Sequence, residues 1–268
     1  MLEYHPDALT ADEAVRLARH QTEISAKTTY QDQVSATGTW HPSKLGTAKD
    51  KLFAARPRNG RYVFCENDTG RDVEHLRPRQ LHPDLTYNWD NLIAACGECN
   101  GPKGTQDAVL DSSQPGGFRS ITREKKKKND STPVTPPPAG LTAWYNPRHR
   151  NPMIDIRLDI RGETFFFENT AQPGTPEHAR VQWTLKKLAL NERDTLVTAR
   201  KVAFQDYCRW LHHAVQAQVA GDNALLARLH HELEKKNHPT VWEEMKRQRS
   251  ELPEIDNLLS AVPFVLTW

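Results

Sequence analysis

The chain has 268 residues, 37% of them hydrophobic and 26% charged, with a net charge of +2 and a mean hydropathy of −0.75. That is enough apolar material for one large or two modest packed domains, and no apolar run is long enough to span a bilayer. The nearly balanced charge rules out an argument from bulk electrostatics, so any claim on nucleic acid must come from a local site.

The opening MLEYHPDALTADEA has no basic patch followed by an apolar core, which argues against a signal peptide and for a cytoplasmic protein. Thr10 with Glu13 three residues on is a capping-box start for an amphipathic helix bearing Ala14, Leu17 and Ile24. TAKDKLFAA predicts a second helix anchored by Leu52 and Phe53. Residues 61–76 read as a short strand, a turn at NDTG and another strand. NLIAAC reads as a buried strand, followed by a short helix carrying Cys99, Asn100 and Lys103.

From Thr105 to Gly140 the composition turns polar, basic and proline-rich, as in a mobile loop or linker. Its lysines Lys125 to Lys128 suit either a solvated charge run or contact with phosphate. MIDIRLDI, the Arg161-Gly162 turn and ETFFFEN form a candidate β-hairpin. Phe165, Phe166 and Phe167 fit hairpin packing or base stacking. From Thr175-Pro176-Glu177 the pattern is helical, with apolar positions Val181, Leu185, Leu188, Leu196, Val197, Phe204, Trp210 and Leu211. Two more helices are expected near 222–236 and 239–250, and the apolar LLSAVPFVLTW should pack on the body or on a partner. His212, His213, His230 and His231 are not spaced as metal pairs and read as ordinary helix residues. No G-x-x-x-x-G-K-[ST] is present, so ATP hydrolysis by this chain alone is not expected.

The chemistry gathers between Asp72 and Lys103. Phosphodiester hydrolysis needs a base to activate water and a divalent cation to neutralise charge on the phosphate and the leaving oxygen. His75 is the candidate base, since a neutral imidazole accepts a proton at pH 7. Glu74 and Asn100 offer hard oxygen ligands for Mg²⁺ or Mn²⁺, and Asp72 is a second acidic contributor. Asn91 is placed to hold the loop after His75, and Lys103 to reach a phosphate oxygen as a point charge. Of the four cysteines, Cys65, Cys96 and Cys99 are metal-ligand candidates, and Cys208 reads as a core cysteine.

DVEH, the central Asn91 and C-x-x-C-N-x-x-K together resemble the HNH endonuclease motif. The resemblance implies a ββα-metal unit that enters the minor groove and cuts one strand per site with a single divalent ion. It makes His75 the general base, Asn91 the middle asparagine, and Glu74 and Asn100 the metal ligands. A narrower likeness covers roughly residues 60–200: YVFCE, W-D-N-L, N-P-R-x-x-N-P at Asn146 to Pro152, and TLKKLALNERDTLVTAR are similar to PtuB-like HNH proteins. Those accompany an ABC/SMC-type ATPase, PtuA, in Septu and some retron anti-phage systems. Relatives with a structural zinc carry two Cys-x-x-Cys knuckles. Here Tyr62 stands at the first position of the first knuckle, leaving Cys65, Cys96 and Cys99 to hold Zn²⁺ with a distant fourth residue or to pack as small hydrophobes.

The expected fold is α+β, mainly helical, with an embedded ββα unit and a β-hairpin after a proline-rich linker. The segments are 1–56 (N-terminal helices), 57–110 (nuclease unit), 111–140 (basic linker) and 141–268 (hairpin and helical region, a docking surface for a partner). The expected function is metal-dependent hydrolysis of nucleic acid, DNA ahead of RNA, as an anti-phage effector with a PtuA-like ATPase and no membrane association. A non-catalytic zinc-knuckle binding module and a stand-alone restriction or homing nuclease are the alternatives.

Overall fold

The computed structural model describes all residues except 2, 57–59, 68–71, 122–134 and 163. The lysine run Lys125 to Lys128 and most of the NDTG turn lie outside the described residues. The architecture is α+β and mainly helical, with three separate two-stranded antiparallel sheets among the described residues. No described helix is long and apolar enough to cross a membrane.

Helix α1 (Ala11–Ser25) begins in the expected capping box: the Glu13 amide donates to Thr10 Oγ1 at 3.3 Å and the Thr10 amide to Glu13 Oε2 at 2.8 Å. It buries Leu17 and Ile24. Helices α2 (Tyr30–Ala36) and α3 (Ala48–Ala54) follow, the latter burying Leu52 and Phe53. Strands β1 (Asp72–His75) and β2 (Leu92–Ala95) pair with His75 opposite Leu92 and Asp72 opposite Ala95, and helix α4 (Gly97–Lys103) leaves the end of β2. This is the ββα order that the pattern implied.

Two expectations are corrected. Residues 61–67 form no strand. The Tyr62 amide donates to the Asn67 carbonyl at 2.9 Å and the Glu66 amide to the Tyr62 carbonyl at 2.7 Å, with Glu66 at φ +59°. These two bonds close the segment into a turn, with Glu66 in the left-handed region that breaks an extended run. The expected linker is also partly a hairpin: β3 (Asp107–Leu110) pairs with β4 (Phe118–Ile121), with DSSQPGG as its loop. Gly117, at φ +73°, donates to the Gln114 carbonyl and accepts from the Asp111 amide at 2.9 Å each. Val109 and Ile121 are buried against Leu81, which anchors the hairpin to the loop between β1 and β2.

Helix α5 (Pro152–Asp155) runs into the hairpin of β5 (Ile156–Leu158) and β6 (Phe167–Asn169). Phe165 and Phe167 are buried and Phe166 is 42% exposed, so hairpin packing accounts for two of the three rings. Phe165 meets Phe204, and the Arg200 guanidinium sits 4.2 Å from the Phe167 ring centre. Helix α6 (Pro176–Lys187) starts at Thr175, whose hydroxyl accepts from the His178 amide. The long helix α7 (Asp194–Ala220) is ended by Gly221 at φ +68°, the left-handed cap that glycine takes at least cost. Helices α8 (Asn223–Glu234), α9 (Pro239–Arg247) and α10 (Pro253–Ala261) complete the body. Cys208 is partly buried against the core.

The terminal apolar segment packs on this body. Val262 and Val265 are fully buried, and Trp268 stacks on His230 at 4.1 Å. Buried residues from the N-terminal helices, the ββα unit, the hairpins and the C-terminal helices join in one continuous core. Tyr4 illustrates the connection: its hydroxyl donates to the Leu52 carbonyl at 2.8 Å and accepts from the Ala94 amide at 3.1 Å.

Candidate active site and metal centre

A strand sends successive side chains to opposite faces. Along β1 this puts Asp72 and Glu74 on one face and Val73 and His75 on the other. Helix α4 covers the first face. Asn100 and Lys103, three residues apart on one side of the helix, both meet it. Asn100 Nδ2 donates to Asp72 Oδ2 at 3.3 Å. Lys103 Nζ donates to Glu74 Oε1 at 2.6 Å and to the His75 carbonyl at 2.7 Å, with the Trp144 ring 5.0 Å away.

Lys103 is 2% exposed, so it is an internal counter-ion for Glu74 and not a solvent-facing phosphate contact. Burial raises the Glu74 pKa above the usual carboxylate range, with the nearby Lys103 ammonium pulling the other way. Asp72, Glu74, Asn100 and Lys103 are thus brought together as one polar cluster.

His75 lies on the other face, 5% exposed. Its Nε2 sits 2.9 Å from the Thr86 carbonyl, and a carbonyl only accepts, so Nε2 carries the proton and Nδ1 keeps its lone pair. Trp40 meets the imidazole edge-on at 4.5 Å. Burial is the main cause of a pKa lowered to about 3, so the ring is neutral at pH 7.

Asn91 organises the loop after His75. Its Oδ1 accepts from the Arg77 amide at 2.8 Å, and its Nδ2 donates to the carbonyls of Arg77 at 3.0 Å and Leu85 at 3.1 Å. Its own carbonyl accepts from the Leu76 amide at 2.8 Å. The N-terminal helices close over this loop: Gln21 bonds the Pro83 carbonyl and the Tyr87 amide, Tyr30 the Leu81 carbonyl, and Arg79 the Thr37 carbonyl.

The cysteines form a second site at the other end of α4. Cys65 comes from the 62–67 turn, Cys96 caps α4 and Cys99 lies in its first turn. All three are buried, with sulfurs within 4.8 Å of one another, the only such ligand group of three among the described residues. Cys65 and Cys96 sulfurs are 3.3 Å apart. Hydrogen bonds from Cys65 and Cys99 lower the Cys96 pKa to about 3, the contact with Cys96 together with burial raises Cys65 to about 12, and the contacts with both neighbours push Cys99 up. The mutual hydrogen bonds thus favour the thiolate at Cys96 over its two neighbours.

Arg193 Nη2 donates to Cys99 Sγ at 3.4 Å, and its Nη1 to the Glu98 carbonyl at 3.2 Å. Three soft sulfur donors converging in a buried site fit a thiophilic ion such as zinc, with the fourth position left to a non-thiolate partner. We expect the purified protein to carry about one zinc per chain by elemental analysis. Cys96→Ser with Cys99→Ser should lose that metal and melt at lower temperature. Stoichiometric zinc in the double variant would contradict the assignment.

Sequence reasoning located the acid-histidine pair, the asparagines, the lysine and the cysteines. It missed Trp40, Thr86, Arg148 and Arg193. Arg148 and Arg193 lie in the two downstream motifs, which were a usable signal; Trp40 and Thr86 carried none.

The hairpin-helix unit with its acid-histidine strand and cysteine cluster can now be set beside known proteins. A stretch of 63 residues, 22% of this chain, is 38% identical to "Septu protein PtuB" of Bacillus thuringiensis. The match covers 24% of that protein. No family model matches the chain. No solved structure matches it.

Proposed function

We propose that the chain is a metal-dependent HNH endonuclease that hydrolyses phosphodiester bonds in DNA and serves as the effector of a Septu-type anti-phage system. The observation that carries this reading is a neutral His75 with its Nδ1 lone pair free on one face of β1 and the Asp72 and Glu74 carboxylates, met by Asn100 and Lys103, on the other. Partial similarity to PtuB supports the defence context.

In this reading His75 Nδ1 takes a proton from the attacking water, while Nε2 stays bonded to Thr86 and fixes the ring plane. Asn91 holds the loop on which Thr86 rides. Glu74, Asn100 and Asp72 are the residues that would hold the divalent ion, whose chemistry when bound is charge neutralisation at the phosphate and leaving oxygen. Lys103 keeps Glu74 in place and balances its charge. A PtuA-type ATPase is the proposed partner, and the helical region from α6 to α10 the surface that meets it.

The test is plasmid cleavage in Mg²⁺ or Mn²⁺, by the chain alone and with the ATPase. His75→Ala is expected to cut at least ~10²-fold more slowly with its fold intact. Equal cutting by the variant would sink the mechanism. The closed Glu74–Lys103 pair favours one other reading, a non-catalytic module that binds nucleic acid or a partner. It predicts no cleavage by the wild type, and binding that survives His75→Ala but fails when Cys96 and Cys99 are replaced.

A further inference from the structure

The segment Asn146 to Pro152 has no part in the chemistry described so far, yet it reaches into the candidate site. Arg148 is the contact. Its side chain is 7% exposed. Nη1 donates to the Trp89 carbonyl and, at 3.0 Å, to the Leu92 carbonyl. Nη2 lies 3.5 Å from Asp90 Oδ1, and the guanidinium sits 5.1 Å from the Trp89 ring centre. One planar group therefore holds residues on both sides of Asn91.

We propose that Arg148 is a positioning residue for the candidate site: it locks the Trp89–Leu92 turn, and through Asn91 it fixes the loop that orients His75. The contacts run without a gap. Arg148 sets the turn, and the Asn91 side chain in that turn bonds Arg77 and Leu85. Thr86, next to Leu85, accepts the His75 Nε2 proton.

The asparagines on either side aim Arg148 at its target. Asn146 Oδ1 accepts from the Arg148 amide at 3.0 Å. Asn151 Oδ1 accepts from the Met153 amide at 2.9 Å and starts α5. Each asparagine thus folds the backbone two residues on, the turn-forming use of this side chain. Tyr145 ties the same loop down through the Asn151 carbonyl at 3.2 Å and Asp155 Oδ2 at 2.7 Å.

Arginine suits the position for a physical reason. Two carbonyls, one carboxylate and an aromatic face must be met by one buried group, and a planar fork with several fixed donors does this where an ammonium cannot. The sequence separation is large, 59 residues to Trp89 and 56 to Leu92. A downstream segment of the chain thus helps hold the loop of the hairpin-helix unit in place.

The inference rests on the nuclease reading for its kinetic arm only. The experiment compares wild type, Arg148→Lys and Arg148→Met in the full chain by cleavage kinetics and amide hydrogen exchange. A misplaced base is expected to lower kcat by ~10- to 100-fold in Arg148→Met, with KM for DNA within about twofold, and the lysine variant is expected to fall between. Amides of residues 76–91 should exchange faster in Arg148→Met while those of α6 to α10 keep their protection.

Unchanged kcat in a folded variant overturns the proposal. So does loss of protection spread evenly through the chain with a parallel drop in kcat and Tm, because that is general stability. If the wild type does not cut at all, the nuclease reading fails. Exchange still decides the clamp: local loss at 76–91 upholds it, and no local change overturns it.

Discussion

Lys103→Met should destabilise the protein by about 3–5 kcal/mol at neutral pH, the cost of leaving a buried carboxylate without its partner. Lys103 and Glu74 are 2% and 6% exposed, and their 2.6 Å contact is the main charge compensation for Glu74. Methionine matches the length of the stem and removes only the ammonium. Adding Glu74→Gln to Lys103→Met should recover much of the loss, because a neutral amide no longer demands a cation. Denaturant unfolding of both single variants and the double measures the coupling.

The pH dependence of that defect has a definite sign. Glu74 has a raised pKa in the folded state, so the native protein binds its proton more readily than the unfolded chain. The penalty in Lys103→Met should shrink as pH falls and Glu74 is neutralised. A penalty below 1 kcal/mol at pH 7, or one that grows on acidification, would show that the pair is not closed as described.

The second large effect is acid sensitivity. Burial lowers the pKa of His75 to about 3 and of His238 to about 4, from an ordinary 6.5. Below pH 6.5 the unfolded chain takes up protons that the native state refuses, so stability falls as pH falls. Each group contributes about 1.4 kcal/mol per pH unit across its window, so the two together cost about 5 kcal/mol between pH 6 and 4. Glu74 offsets part of this, since its raised pKa works in the opposite direction.

A protein of ordinary stability should therefore unfold well before pH 3. His238 sits at φ +50°, a conformation that asparagine tolerates. His238→Asn should flatten the slope of stability against pH by about 1.4 kcal/mol per unit below pH 6. An unchanged slope would mean that His238 titrates normally.

The local elements were legible because they obey local rules. Thr10 and Glu13 form a capping box wherever the helix goes, and Thr175-Pro176-Glu177 starts α6 for the same reason. The buried LIAA run and the Cys-x-x-Cys turn into α4 follow from hydrophobicity and spacing. The linker reading erred because D-S-S-Q-P-G-G is turn chemistry, and such a turn closes a hairpin as readily as it fills a loop. Only the burial of Val109 and Ile121 against Leu81, close to thirty residues upstream at its nearest, decided between the two. The 61–67 strand failed because Glu66 turns the chain back, and the Thr240 amide then bonds Glu66 Oε2 at 3.0 Å from 174 residues away.

By itself, the sequence determined which residues are candidates for chemistry: a histidine, carboxylate and amide oxygens, a lysine and three thiols, each with an intrinsic proton affinity and hardness that no fold is needed to know. Tertiary structure alone decided what each one does there. It turned Lys103 inward to neutralise Glu74, buried His75 under Trp40 so that it stays neutral, and brought Arg193 to the cysteines and Arg148 to the turn around Asn91. The physical reason is that charge, pKa and orientation at a site depend on burial and on partners distant in the chain, and those exist only once the core has closed.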